Sequence, residues 1–255
     1  MAFAWNDSNF MNAYCESRPV VPQPMDKEDI LRLLTCQGEE QQALFRAARA
    51  VRQAAGMDVV KLRGVIEISN YCQKSCDYCA IRPQNKEMVR YRMDVETILA
   101  ITEEIVAEGI TTVFLQAGQD PKSDAFVYEA IPRIRARGVN VLLNLGEKPR
   151  ETYARYVAAG ADSYILKFET SNPDLYQAIV GTPLAKRLEC ARWIKEVGMK
   201  LGTGNIIGLP GQTLDTLVED ILLAREMQPD FVSSSPFIPN ENTPLEHLDV
   251  GDLQL

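Results

Sequence analysis

Asn70-Tyr71-Cys72-Gln73-Lys74-Ser75-Cys76-Asp77-Tyr78-Cys79 follows directly on the apolar, β-branched run Val65-Ile66-Glu67-Ile68-Ser69. The order reads as a strand, a loop, and three soft ligands within eight residues. Thiolates this close, on a loop leaving a strand, can converge on one metal centre, and three rather than four leave one coordination position unfilled. Substrate or cofactor binds at such a position. From these residues alone a zinc knuckle, which takes four ligands, and reduced thiols without metal stay open.

Outward from this stretch, strand and helix signals alternate. Strands are expected near 65–69, 112–117, 139–145, 163–168, 201–207 and 231–237. They are near-continuous apolar runs such as Thr112-Val113-Phe114-Leu115, as required when both faces of a parallel sheet are covered. Between them lie helical patterns. Asp94 is a good N-cap for a helix bearing Ile98, Ile101 and Ile105 and stopping at Gly109, and Asn172-Pro173 and Gly198 punctuate later ones. Repeated βα units with right-handed crossovers give an α/β fold, either a parallel barrel or a doubly wound sheet.

Before the barrel, residues 1–60 read as an N-terminal extension: an extended lead-in with Pro19, Pro22 and Pro24, then capping helices at Asp26 to Leu34 and Glu39 to Ala55. The second carries Leu44, Ala48, Val51 and Ala55 on one stripe, with Gly56 as a stop. Residues 61–255 form the barrel domain, long for one unit but ordinary for an α/β barrel.

The composition, 46% hydrophobic and 24% charged, is that of a globular protein. No apolar run approaches the roughly 18 residues that would cross a bilayer, and Met1 to Asp7 lacks the basic and apolar regions of a signal peptide, so the expectation is cytoplasmic with no membrane partner. A net charge of −8 argues against nucleic acid, whose phosphates are met by clustered Lys and Arg. Cys15, Cys36 and Cys190 are scattered and read as free thiols, Cys190 within a helix. The single histidine, His247, excludes multi-histidine metal sites.

In a parallel barrel the chemistry gathers at the C-terminal ends of the strands. Polar and glycine-rich segments fall there: the cysteine loop, Gln116-Ala117-Gly118-Gln119-Asp120-Pro121, Asn144-Leu145-Gly146-Glu147, Lys167-Phe168-Glu169-Thr170 and Gly208-Leu209-Pro210-Gly211-Gln212-Thr213. Taken singly, each has a plainer reading. The second is a βα turn, Glu169 a solvated acid, and Lys167 and Arg187 surface charges.

The CxxxCxxC spacing, with Tyr78 before the last cysteine, resembles the cluster-binding loop of the radical S-adenosylmethionine (radical SAM) superfamily. The resemblance implies a TIM-type barrel and a [4Fe-4S] cluster on Cys72, Cys76 and Cys79 whose fourth iron is chelated by S-adenosylmethionine (AdoMet). It further implies that Gln116, Ala117, Gly118 and Gln119 receive the methionine end, Glu169 the ribose hydroxyls, Lys167 and Arg187 an anionic group, and Tyr78 and Ile206, in Gly204-Asn205-Ile206-Ile207-Gly208, the adenine. Asn144 is the candidate for substrate. From Leu62 to Leu245 the segments match the biotin-synthase-like branch, most nearly the [FeFe]-hydrogenase maturases. They include Arg90-Tyr91-Arg92-Met93, Leu145-Gly146-Glu147, Glu169-Thr170-Ser171-Asn172-Pro173 and Thr243-Pro244-Leu245.

Two departures stand out. Lys167-Phe168-Glu169 replaces the Arg-His-Glu of that family, and Ala117-Gly118-Gln119-Asp120 its Ser-Gly-Glu-Asp. Six strands are present against the family's eight, so the resemblance implies an incomplete barrel: either the N-terminal segment or a partner chain covers the open edge near Phe231 to Phe237, or these residues are a piece of a longer enzyme. The implied activity is reductive cleavage of AdoMet to a 5′-deoxyadenosyl radical in maturation of a hydrogenase-type metal cofactor. The implied partners are a small-molecule or metal-complex substrate, a low-potential electron donor and other maturation proteins. A methylornithine-type mutase, sulfur insertion and a non-catalytic iron–sulfur scaffold are the alternatives.

Overall fold

A computed structural model describes residues 25–251. The expected proline-rich lead-in and Cys15 lie outside them. The chain divides into two compact units, one reaching to Lys61 and one from Leu62 to Gln254. In the first, α1 (Lys27–Thr35) starts at Asp26, whose carboxylate accepts the Asp29 amide, and α2 (Gly38–Ala54) contributes no buried side chain.

The second unit is built on parallel strands β1 (Gly64–Ser69), β2 (Thr112–Ala117), β3 (Asn140–Asn144), β4 (Ser163–Ile165) and β5 (Lys200–Thr203). They alternate with helices α3 (Val95–Ala107), α4 (Asp124–Arg135), α5 (Arg150–Ala159), α6 (Pro173–Val180) and α7 (Leu184–Glu196). After β6 (Ile206–Ile207) and α8 (Leu214–Met227) the chain returns as β7 (Phe231–Val232) and β8 (Ser235–Pro236). Asp94 and Asn172 cap α3 and α6 as expected, each carboxylate or amide oxygen accepting first-turn amides.

The strands are ordered β1-β2-β3-β4-β5-β7, all parallel. A doubly wound sheet would reverse direction at its middle, so this sequential order selects the barrel-type sheet. Alternation divides each strand between two faces. Ile66, Ile68, Val113, Leu115, Val141, Leu143, Tyr164 and Leu201 pack outward in one apolar core with Ile98, Ile131, Ile134, Tyr153, Tyr156 and Ile194 of the helices. Full burial of each Ile or Leu stabilises by about 1.5–3 kcal/mol. The alternate residues Val65, Glu67, Phe114, Gln116, Leu142 and Asn144 therefore face the lumen.

Three expected strands are shorter than their apolar runs. The fourth ends at Ile165, and the fifth and sixth are each broken in two, with β6 pairing β8 beyond the break. Gly204 is the cause in the fifth: its φ is 155°, and a Cβ there would strike the Ser233 carbonyl. At the opposite end of the sheet the Arg63 guanidinium lies over the Phe231 ring, 4.8 Å from its centroid, bringing the first and last strands together. Among the described residues no helix is long and apolar enough to cross a membrane.

Candidate functional site

The loop between β1 and α3 carries the cysteines and is fixed mainly by backbone carbonyls. Arg90 sits at its centre: Nη1 donates to the carbonyls of Asn70 (2.6 Å) and Ile81 (2.8 Å), and Nη2 to those of Arg82 (2.6 Å) and Asn85 (3.0 Å). The Asp77 amide donates to the Ile179 carbonyl, and the Gln73 amide to that of Gln119. At the loop's root, buried Asp120 receives Nε and Nη2 of Arg92 at 2.6 and 3.1 Å and the Ser69 hydroxyl at 3.0 Å. A Cβ at Gly118 would strike the Tyr71 carbonyl and the Cys72 Cβ, so the glycine expected to admit a ligand is required by the cysteine loop itself.

Cys72 Sγ accepts two main-chain amides, from Lys74 and Gln119, each at 3.3 Å. Cys76 is buried against Phe168, Tyr176, Ile179 and Ile206. Burial, with the neighbouring Cys79 thiol second, pushes its thiol up to about 12, and burial raises Cys79 as well. Such thiols stay protonated unless a metal takes the proton's place. Among the described residues no three His, Cys, Asp or Glu side chains are grouped to hold a single metal ion. A polynuclear cluster gives each thiolate its own iron and does not need such a grouping. The donor set, three sulfurs on one braced loop with two amides already directed at one of them, fits such a cluster.

Glu169 lies past the end of β4 with φ of 65°, unusual for a residue with a Cβ. The Thr170 amide bonds the Phe168 carbonyl across it at 2.8 Å, closing a γ-turn of the strained, positive-φ kind. Its own amide donates to Gly204 O (3.1 Å), and its carbonyl accepts the Ile206 amide (2.8 Å). Burial raises the carboxyl above its usual range, opposed by Lys167, Arg187 and the Tyr78 hydroxyl. Lys167 Nζ lies 3.9 Å from that carboxylate and donates to Ser235 Oγ at 3.1 Å; burial lowers its ammonium, with Glu169 opposing. The Tyr78 carbonyl accepts Asn240 Nδ2 at 3.0 Å.

Arg187 is enclosed. Its Nε donates to Glu147 Oε1 and to the Tyr176 hydroxyl, both at 2.9 Å, and Nη1 to the Lys167 carbonyl at 3.2 Å. Glu147 also faces Lys74 of the cysteine loop, Nζ to Oε2 2.9 Å. Burial works against the Glu147 charge, yet Arg187 and Lys74 hold the carboxyl below its usual range. Gln119 Oε1 accepts the Glu147 amide at 3.0 Å.

In the lumen, Glu67, Gln116 and Asn144 lie side by side in register on β1, β2 and β3, and Gln116 Nε2 donates to Glu67 Oε1 at 3.4 Å. Ala117 pairs with Ser69 at the rim. The structure thus gathers Cys72, Cys76, Cys79, Tyr78, Gln119, Lys167, Glu169, Arg187 and Ile206 at one end of the sheet. Lys74, Arg90 and Glu147 had no assigned role from sequence; only their places within the cysteine loop and the post-strand segments could have signalled them.

A six-stranded parallel barrel sheet with a three-cysteine loop leaving its first strand defines a class, and the model of the radical SAM superfamily matches residues 66–224: the chain belongs to that superfamily. Within it the chain is similar to the [FeFe] hydrogenase maturase subunit HydE of Thermotoga maritima, 42% identical over 216 residues, 84% of this chain and 62% of the relative. The 3-methylornithine synthase of Methanosarcina acetivorans is 28% identical over 229 residues, 87% of this chain and 65% of that protein. The crystal structure of methylornithine synthase superposes with a TM-score of 0.83 at 25% identity, covering 93% of this chain and 70% of that one. The maturase HydG of Carboxydothermus hydrogenoformans shares the fold, with a TM-score of 0.80 over 96% of this chain and 59% of its own. The chain thus spans under two thirds of the length of these two curated relatives.

Proposed function

We propose that the chain is a radical SAM enzyme holding a [4Fe-4S] cluster on Cys72, Cys76 and Cys79, acting in maturation of a hydrogenase-type metal cofactor. The observation that carries the reading is the braced cysteine loop, with Cys72 Sγ receiving two amides and Cys76 buried beside Ile206, in a chain 42% identical to a hydrogenase maturase subunit. When bound, the cluster and AdoMet supply one-electron cleavage of the sulfonium and thereby a 5′-deoxyadenosyl radical.

The chain's own residues orient and enclose. Arg90 and the Lys74–Glu147–Arg187 network fix the cysteine loop against the segment after β3. Glu169 offers a buried carboxylate to vicinal ribose hydroxyls, and Lys167 an ammonium to an anionic group. Glu67, Gln116 and Asn144 line the lumen, where a small-molecule or metal-complex substrate is held away from water. A low-potential donor supplies the electron.

The test is anaerobic reconstitution followed by measurement of 5′-deoxyadenosine. Each of Cys72→Ala, Cys76→Ala and Cys79→Ala is expected to abolish it. Normal cleavage by all three variants would sink the proposal, and a full cluster without cleavage in the parent chain would support a non-catalytic scaffold instead. The fold match to methylornithine synthase favours a carbon-skeleton mutase as the second reading. Product analysis with candidate amino-acid substrates separates it from maturation.

A further inference from the structure

Asp220, on α8, has no place in the site described above, yet it is 1% exposed and its two oxygens tie together three segments that surround Glu169. Oδ1 accepts the Ser171 amide at 2.6 Å, two residues beyond Glu169. Oδ2 accepts Asn205 Nδ2 at 2.8 Å and, at 3.4 Å, Gln212 Nε2. Asn205 is the residue bridged to Glu169 across the break in the fifth strand, flanked by Gly204, which accepts the Glu169 amide, and Ile206, which donates to its carbonyl. Asn205 Oδ1 in turn accepts Ser234 Oγ at 2.7 Å. Gln212 carries the tie onward, its Oε1 accepting the Gly208 amide and its Nε2 donating to the Ile206 carbonyl.

The arrangement is directional. A positive-φ γ-turn at a residue with a Cβ persists only where the surroundings over-determine it. Here the strained turn is held from its C-terminal side through Ser171 and from its lateral side through Asn205, and both holds end on one carboxylate. Burial raises Asp220, opposed by the Ser171 and Asn205 donors. A carboxylate is chosen over an amide because both of its oxygens must accept.

We propose that Asp220 is a positioning residue that holds Glu169 in its γ-turn, and so aims the Glu169 carboxylate at the ribose of AdoMet. The proposal rests on the ribose reading of Glu169 given above. It acts through Asn205 and Ser171, without contact to the ligand.

The test uses the cluster-reconstituted full chain and AdoMet binding by equilibrium dialysis, with iron content and thermal midpoint measured alongside. Asp220→Asn keeps the shape but loses one acceptor, and AdoMet affinity is expected to fall roughly tenfold with iron content unchanged. Combining it with Asn205→Asp moves the carboxylate across the same hydrogen bond; the double variant is expected to recover to within about threefold of the parent, coupling that independent sites would not show. An AdoMet analogue lacking both ribose hydroxyls is expected to bind Asp220→Asn and the parent alike. Adding Asp220→Asn to Glu169→Gln should weaken AdoMet no further.

Parent-like AdoMet affinity in Asp220→Asn, with Glu169→Gln weakened, would overturn the proposal and leave the ribose reading standing. Equal loss of AdoMet and of the analogue would overturn it too, showing a packing role. Unchanged affinity in Glu169→Gln would remove the ribose reading and this proposal with it.

Discussion

Arg90 places one guanidinium against four carbonyls, those of Asn70, Ile81, Arg82 and Asn85, which bracket the three cysteines. A lysine has three donors at one point and cannot reproduce that fork. Arg90→Lys is therefore expected to lose at least two charge-assisted bonds, about 3 kcal/mol or more of loop stability, and to retain less than half the parent's iron after reconstitution, while circular dichroism of the barrel is unchanged. Full iron content in this variant would refute the bracing role. For Glu169→Gln the expected effect lies in the ligand: a hydrogen bond to a charged group is worth roughly 1.5–3 kcal/mol, so AdoMet affinity should fall about ten- to a hundredfold with the cluster assembled normally. Cys72, Cys76, Cys79 and Glu169 could be singled out as candidates because spacing and position after a strand are written in the sequence. The hydrogen bonds of Arg90 and Asp220 could not be, since they run to carbonyls and amides distant in the chain, and one Arg or Asp in a loop or helix looks like any other.

At the level of elements, apolar runs located every strand of the sheet to within a few residues, and Asp94 and Asn172 marked helix starts correctly. The runs overstated the fourth, fifth and sixth strands, because apolar content reports burial and not hydrogen-bond pairing. Leu166 and Phe168 are buried beyond the end of β4, and Ile206 beyond the break after β5. The βα turn after β2 shows how electrostatics secure an element. Asp120 is 3% exposed; burial opposes its charge, yet Arg92 and Ser69 hold its carboxyl below the usual range. A carboxyl depressed in the folded state contributes stability that is present above its unfolded value, near 4, and is lost as pH falls through the lower folded value. Asp120→Asn is therefore expected to lower the thermal midpoint at pH 7 and to flatten the fall in stability below about pH 4. An acid limb identical to the parent's would show that Asp120 is not linked to folding.

Over the whole molecule, the sequential order of strands leaves β1 and β7 at the two ends of the sheet. The outer side of β1 is bonded at its C-terminal end, where the Met93 amide donates to the Ile68 carbonyl and Ser69 bridges Arg92, and among the described residues is bare toward its start. The ends are not far apart everywhere. Arg63 stacks on Phe231 near the start of β1, so the sheet curls until its first and last strands touch through a cation–π contact, worth about 0.5–1 kcal/mol where exposed. Beyond that contact Val65 and Val232 are about half exposed, at 51% and 54%, whereas Leu142, in register with Val65 on the same lumen face of an inner strand, is at 1%. Unpaired backbone beside exposed valines is the arrangement that recruits another strand. Hydrogen exchange should accordingly be graded across the sheet. Amides of β2, β3 and β4 are expected to exchange only on global unfolding, and those of β1 and β7 at least about a hundredfold faster, through local opening. Arg63→Ala should speed the outer amides further and leave the inner ones unchanged, because it removes the cation–π contact that joins the ends. Protection of β1 and β7 equal to that of β3 in the isolated chain would show that something covers both edges. Sedimentation at the same concentration would then decide whether a second copy does so.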